Sequence, residues 1–255
     1  MIRDALSPER LGKEFRRALV IAGKDVRIYC LKPPVLLFGI VFPFFLFLSF
    51  YVGRKGPVAQ GIPGLVVISL FFTSSNIAPA GMPFERMAKT FNRYLSAPIS
   101  LTWMLAGKTL AGFAFGAAIS LLPLLVGILG YGTSVTSPLI LVFALLAGGM
   151  CFSCMGTLVA SMPTEMPGNV MTVLNFVRLP LLFLSGIFIP LDEMPGWSRG
   201  LAVISPLTYV NDLVKRGAGY AGYYPLWLDF LVLVLFMAVF FGVAAWIFNA
   251  ARKRS

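Results

Sequence analysis

The sequence predicts an all-α integral membrane protein with six transmembrane helices, and three observations carry that prediction. Hydrophobic residues make up 58% of the 255 residues and charged residues 12%, and the mean hydropathy is +0.86. Soluble chains carry about 25% charged residues, and half that charge cannot cover a water-facing surface. Six stretches approach or exceed the roughly 20 mostly apolar residues that a helix needs to cross a bilayer. The basic residues, finally, gather on one set of loops, as the positive-inside rule requires.

The elements follow in chain order. Residues 1–34 carry eight Lys or Arg and no long apolar core, so no signal peptide is expected and the N-terminus is placed in the cytosol. Within this segment Leu11, Phe15, Ala18, Leu19, Ala22, Val26 and Tyr29 share one side of a helix at 100° per residue, while Lys13, Arg16, Arg17, Lys24 and Arg27 share the other. That pattern predicts an amphipathic helix lying in the headgroup plane, its cations meeting anionic lipid, and turning at Pro33 and Pro34 into the membrane.

Residues 35–250 hold the six apolar stretches: Val35 to Val52, Ile62 to Met82, Leu101 to Gly130, Pro138 to Ser161, Val170 to Ile189 and Leu226 to Ala250. Residues 251–255 form a basic tail. With six spans both termini share a side. Fourteen Lys and Arg lie on that side, before the first span, at Arg86, Lys89 and Arg93, and in the tail, against five on the other, at Arg54, Lys55, Arg199, Lys215 and Arg216. Both termini are therefore expected in the cytosol, with the chain in the cytoplasmic (inner) membrane. The net charge of +11 is a topology signal, and nucleic-acid binding is not expected.

The composition also excludes chemistry. There is no histidine, hence no Ser/His/Asp triad, no His-based zinc site and no imidazole proton shuttle. Cys151 and Cys154 form a CxxC inside an apolar run, read as packing residues. Gly148, Gly149, Ser153 and Gly156 give the fourth span a small-residue face for close helix approach. Trp197, Tyr209, Tyr220, Tyr223, Tyr224 and Trp227 gather at the outer end as an interfacial belt would, a carbohydrate-stacking platform being the sharper alternative.

Polar residues inside spans are costly unless they face protein or water. Thr73, Ser74, Ser75 and Asn76 interrupt the second span, and Asn175 and Arg178 the fifth. They are substrate-path candidates, either lining a translocation route or bonding across a subunit interface; packing with hydroxyls bonded to their own backbone stays open. Arg178 lies deep enough to want a partner yet shallow enough for snorkelling to stay open, and no acid lies inside any span to pair with it.

The loop after the second span mixes charges with Phe84, Met87, Phe91, Tyr94 and Leu95 at helical spacing, which predicts a short amphipathic helix ended by Pro98. Glu85, Arg86, Thr90, Leu95 and Pro98, with Gly107 and Lys108 in the next span, resemble the coupling segment of ABC-2-type transporter permeases, ER-x-x-GT-x-E-x-L-L-x-x-P. Lys89 stands where the family usually has Gly, and Asn92 where an acid is common. A second block, Leu184 to Trp197 followed by Ile204 to Asp212, resembles the family's SG-x-x-x-P-x-x-x-x-P-x-W and P-L-x-Y stretches.

The resemblance implies the membrane subunit of an ABC exporter, paired with an identical or different second permease and with a separate ATPase that binds ATP and Mg. It implies a cytosolic coupling helix between helices 2 and 3, with Glu85, Arg86, Thr90, Phe91, Arg93, Leu95 and Pro98 as the coupling residues. It also implies re-entrant outer helices after helix 5, a reading that Pro190, Pro195, Gly196 and Pro206 support by interrupting any continuous helix there. The cargo expected is an amphipathic, drug-like or lipid-like compound, with a polysaccharide or lipooligosaccharide as the alternative and a channel or receptor without an ATPase as the rival class. Gly107-Lys108-Thr109 matches the end of a phosphate-binding loop, but Thr102 replaces the first glycine and the flanks read as a membrane helix. No cofactor site is therefore expected in this chain, and Lys108 is expected to snorkel to the cytosolic interface.

Overall fold

A computed structural model describes residues 8–51, 58–90, 100–164 and 166–252, and among them every regular element is helical. Five helical segments are long and apolar enough to cross a membrane: Val58–Met87, Leu101–Tyr131, Pro138–Ala160, Pro167–Leu184 and Leu226–Ala250. The first of the six expected stretches is shorter, an apolar helix over Leu37–Phe50.

Helix α1 (Pro8–Tyr29) splits the apolar stripe read from the sequence. Ala18, Ile21, Ala22 and Tyr29 are buried against the rest of the chain, whereas Leu11, Phe15 and Leu19 stay exposed. After a turn comes α2 (Pro33–Leu36), which continues through a π-type turn (Leu37–Val41) into α3 (Phe42–Tyr51). The Phe42 amide donates to the Leu37 carbonyl five residues back. The wide turn falls just before Pro43, which has no N–H to offer the preceding turn.

The second expected stretch is broken into α4 (Ile62–Ser74) and α5 (Ile77–Met87). Pro79 explains the break, because a proline lacks the N–H that would bond the carbonyl four residues back and its ring presses on that carbonyl, here that of Ser75. The Ser75 and Asn76 amides turn back to the Phe71 and Thr73 carbonyls instead. Helix α5 then runs past the expected end at Met82 and carries Glu85 and Arg86 on its last turn. Three residues on, Lys89 has φ +53°, the left-handed region that favours glycine; it is the one non-glycine in that region among the described residues.

Helix α6 (Leu101–Tyr131) opens on Ser100, whose hydroxyl accepts the Trp103 amide, and closes on Gly132 at φ +65°. Then come α7 (Pro138–Ala160) and α8 (Pro167–Leu184). A short 3₁₀ turn (Leu191–Glu193), α9 (Gly196–Ala202) and α10 (Pro206–Gly217) follow, and α11 (Leu226–Arg252) completes the chain.

Helix α4 sits at the centre, buried along its whole length, with α6, α7 and α10 packed around it. The small-residue face of α7 makes this possible: a Cβ at Gly148 would lie 2.7 Å from a Val210 methyl of α10 and one at Gly149 3.2 Å from Leu70 of α4. Cys151 and Cys154 are buried and unbridged. In contrast, α11 exposes Leu231, Val234, Leu235, Val239 and Trp246, an apolar flank suited to lipid.

Candidate functional site

Four charges meet where α1, α5 and α6 cross. Lys108 of α6 is wholly buried, and its Nζ lies 2.6 Å from Glu85 Oε2 and 3.1 Å from Asp25 Oδ2. Lys24 of α1 pairs with Glu85 and sits 2.7 Å from Asp25 Oδ1. The Tyr29 hydroxyl donates to Glu85 Oε1 at 3.4 Å. Among the described residues, two cations and two anions balance here, which lowers the cost of taking such groups out of water, since a lone buried ion costs several kcal/mol.

The local sequence builds this crossing. A Cβ at Gly107 would lie 2.6 Å from the Ala18 carbonyl oxygen, so only glycine lets α1 lie this close to α6. Contacts then run along both helices: Glu14 accepts the Ser100 amide at 3.1 Å, Phe15 meets Trp103 edge-on with ring centres 6.2 Å apart, and Asp25 meets Lys108. Lys108 is thus held in a protein interior and does not reach the interface, contrary to the expectation that it snorkels. Beside the cluster, burial first and Asp25 second push the Cys30 thiol up to about 11.

Of the expected coupling residues, the structure places three. Glu85 points into the cluster, 4% exposed. Arg86 donates to the carbonyls of Met162 and, at 3.2 Å, Thr164, across the turn between α7 and α8. The Thr90 hydroxyl donates to the Glu85 carbonyl at 3.2 Å and closes off the end of α5. Phe91, Arg93, Leu95 and Pro98 lie outside the described residues. Lys24 and Tyr29 were missed as partners of Glu85, and Asp25 as a partner of Lys108. The signal was present, because Ala18, Ala22, Asp25 and Tyr29 fall at i, i+4, i+7 and i+11, so an acid occupies the apolar stripe.

The path candidates of the second span turn inward. Thr73, Ser74, Ser75 and Asn76 are all buried. The Thr73 hydroxyl donates to the Ser69 and Leu70 carbonyls and that of Ser75 to the Phe71 carbonyl. Arg178 of α8 comes to the break between α4 and α5. Its Nε and Nη2 donate to Ser75 Oγ at 3.0 and 2.7 Å, its Nη2 also to the Phe72 carbonyl at 3.3 Å, and the guanidinium lies 5.2 Å from the Phe72 ring centre. Its partners are a hydroxyl, a carbonyl freed by the helix break and an aromatic face, not an acid. Asn175, about one turn earlier on α8, is half-buried.

At the opposite end the segment between α10 and α11 is fastened by Asp212. Its carboxylate accepts the Tyr223 amide at 2.6 Å and the Tyr224 amide at 3.1 Å, while Arg199 donates to the Leu191, Asp192 and Met194 carbonyls. A cavity of about 330 Å³ lies between these elements, with Asp192, Asn211, Lys215 and Tyr223 on its walls. Tyr209 does not belong to an interfacial belt: it is buried, its hydroxyl donating to the Val203 carbonyl.

Residues 24–217 match the family model for the ABC-2 type transporter. The chain is 25% identical over 224 residues to the inner membrane transport permease YadH of Escherichia coli K12, covering 84% of this chain and 85% of that one. It is 22% identical over 156 residues to the "Probable multidrug ABC transporter permease YbhR" of the same organism, covering 61% of this chain and 42% of that one. The matched span contains the whole charge cluster, the Arg178 site and Asp212, and takes in more than half of the chain. The chain therefore belongs to the ABC-2 type transporter family, as a multi-pass membrane permease of the kind that relies on a separate ATPase subunit.

Proposed function

We propose that this chain is the permease subunit of an exporter that moves an amphipathic, drug-like or lipid-like compound across the inner membrane by alternating access. In this reading the stretch Pro33 to Tyr51 supplies a sixth span, α1 lies along the cytosolic leaflet, and α9 and α10 dip back into the outer leaflet. Two permeases pair and two copies of a partner ATPase bind ATP and Mg. The match to permeases named for the inner membrane and for multidrug transport supports the location and the class of cargo.

The observation that carries the reading is the charge cluster. Residues 91–99, the cytosolic loop of the sequence reading, connect Thr90, three residues past α5, to Ser100 at the start of α6, and Glu85, Lys108, Lys24 and Asp25 lock those two helices to α1. A push delivered to that loop by closure of the ATPase moves α1, α5 and α6 as one body. ATP thereby selects between two arrangements of the helices by its different affinity for each. A photo-cross-linking amino acid at Leu95, in the chain purified from its own host, tests this: the reading expects an adduct with an ABC ATPase, and no adduct in a complex that contains one removes the loop from the coupling path.

A further inference from the structure

The cavity of about 330 Å³ beside α10 is at the small end of the range of roughly 300–1,000 Å³ in which proteins hold small ligands. Its walls are fastened from two sides. Arg199 holds the turn over residues 191–194 through three carbonyls. Across the cavity, Asp212 holds the Tyr223 and Tyr224 amides, and Arg216 donates to the Tyr224 carbonyl while lying 3.5 Å from Asp212 Oδ2.

Thr208, Asn211, Asp212 and Lys215 fall at i, i+3, i+4 and i+7 of α10, on one face of the helix, and all four line the cavity. Asp212 is already engaged by the two amides and Arg216. Two other groups are not. Asn211 is 3% exposed, and its Oδ1 has no hydrogen-bond partner. Lys215 makes one hydrogen bond among the described residues, a long one of 3.4 Å to the Gly186 carbonyl. An acceptor buried without a donor is costly, and its place in a cavity wall lets a ligand supply the donor. Residues four apart on a helix have Cβ atoms about 5–6 Å apart, so Asn211 and Lys215 call for a donor and an anionic oxygen on one short molecule. The exposed Asp192 on the same wall adds an acceptor for a cationic donor.

We propose that this cavity binds a phosphoethanolamine-type group, a primary ammonium joined by a short bridge to a phosphate. The phosphate meets Lys215, and the ammonium donates to Asn211 Oδ1 and Asp192. A lipid headgroup and the free phosphomonoester both carry this chemistry. A ligand seated here touches α10 and the connection to α11 together, and so ties the two. The cavity lies at the end of the molecule away from the charge cluster, and the inference does not rest on the ATPase-driven reading.

The test uses the full chain, purified in detergent and stripped of phospholipid. Isothermal titration calorimetry with O-phosphoethanolamine gives saturable binding. Phosphocholine, whose methylated nitrogen has no N–H for Asn211, binds about tenfold more weakly or less. Lys215→Met and Asn211→Leu each weaken O-phosphoethanolamine binding by about tenfold or more. Asn211→Leu also leaves the unfolding midpoint of the ligand-free chain no lower than wild type, because it removes an orphaned acceptor at similar size; lost binding is thereby separated from lost folding. Native mass spectrometry of the chain released from nanodiscs of equal phosphatidylethanolamine and phosphatidylcholine distinguishes the sources. Selective retention of phosphatidylethanolamine, lost in both variants, supports the proposal with the lipid as ligand; binding of the soluble compound without lipid retention supports it with the free zwitterion. No binding of either probe, equal binding of phosphocholine, or unchanged binding in both variants overturns it. None of these measurements involves an ATPase, so such a failure leaves the ATPase-driven reading standing.

Discussion

Lys108 and Glu85 meet at 2.6 Å with none of the lysine exposed, and they join α6 to α5. The pair does not stand alone, since Lys24 and Asp25 bring α1 into the same contact. Removing one member of such a group strands the others.

Lys108→Met therefore costs stability out of proportion to its size, about 3–5 kcal/mol, the range for breaking a buried ion pair. Glu85→Gln combined with Lys108→Met recovers part of the loss, because the Lys24 and Asp25 pair then balances itself. Thermal unfolding in detergent of both single variants and the double variant measures the coupling, and losses that simply add would mean that Lys108 and Glu85 are not energetically coupled.

The left-handed Lys89 predicts a change of opposite sign. Lys89→Gly relieves a left-handed conformation that costs an L-residue about 1–2 kcal/mol, offset in part by glycine's greater loss of chain freedom, and so raises stability by about 0.5–1 kcal/mol. Its gain is read in the same unfolding assay; a loss would show that the lysine side chain makes a contact worth more than the strain.

Arg178→Ala leaves the Phe72 carbonyl and the Ser75 hydroxyl at the helix break without their donor, at a cost of about 1–3 kcal/mol. Arg178→Lys recovers little, because one ammonium does not present the planar pair of N–H groups that reaches Ser75. Unfolding midpoints of the two variants and of Ser75→Ala, which removes the same acceptor, check this.

The cysteines supply a test of orientation. With the Cys30 thiol pushed up to about 11 and Cys151 and Cys154 buried, maleimide at neutral pH leaves the wild-type chain unlabelled. Cys30 has only about one thiolate in a thousand at pH 8, and labelling rises as the pH is raised toward 11. A cysteine at the exposed Thr136, between α6 and α7, reacts with an impermeant maleimide in intact cells; a need for permeabilisation would invert the orientation.

Much of this architecture was legible in the chain. The long helices appear where apolar runs of bilayer length occur, because hydropathy and length are local properties. The break at Ser75 and Asn76 could have been read from Pro79, whose missing N–H leaves the Ser75 carbonyl without its helical donor. The cluster was half visible: Glu85 and Lys108 stood out, while Asp25 hid in a stripe counted for its apolar members. Pairing across 83 residues, from Asp25 to Lys108, depends on how Gly107 lets two helices approach, and no periodicity encodes that. The carbonyls that accept from Arg86, those of Met162 and Thr164, were hidden for a similar reason, since they lie 76 and 78 residues away along the chain.

The account turns on one claim, that this permease is driven by an ATPase it does not contain. Affinity purification of the chain from its own host in mild detergent, with mass spectrometry of what accompanies it, addresses the claim most directly. The account predicts an ABC ATPase in about equal amount, the stoichiometry of paired subunits. Recovery of the chain alone, under conditions in which other membrane complexes stay together, would contradict it.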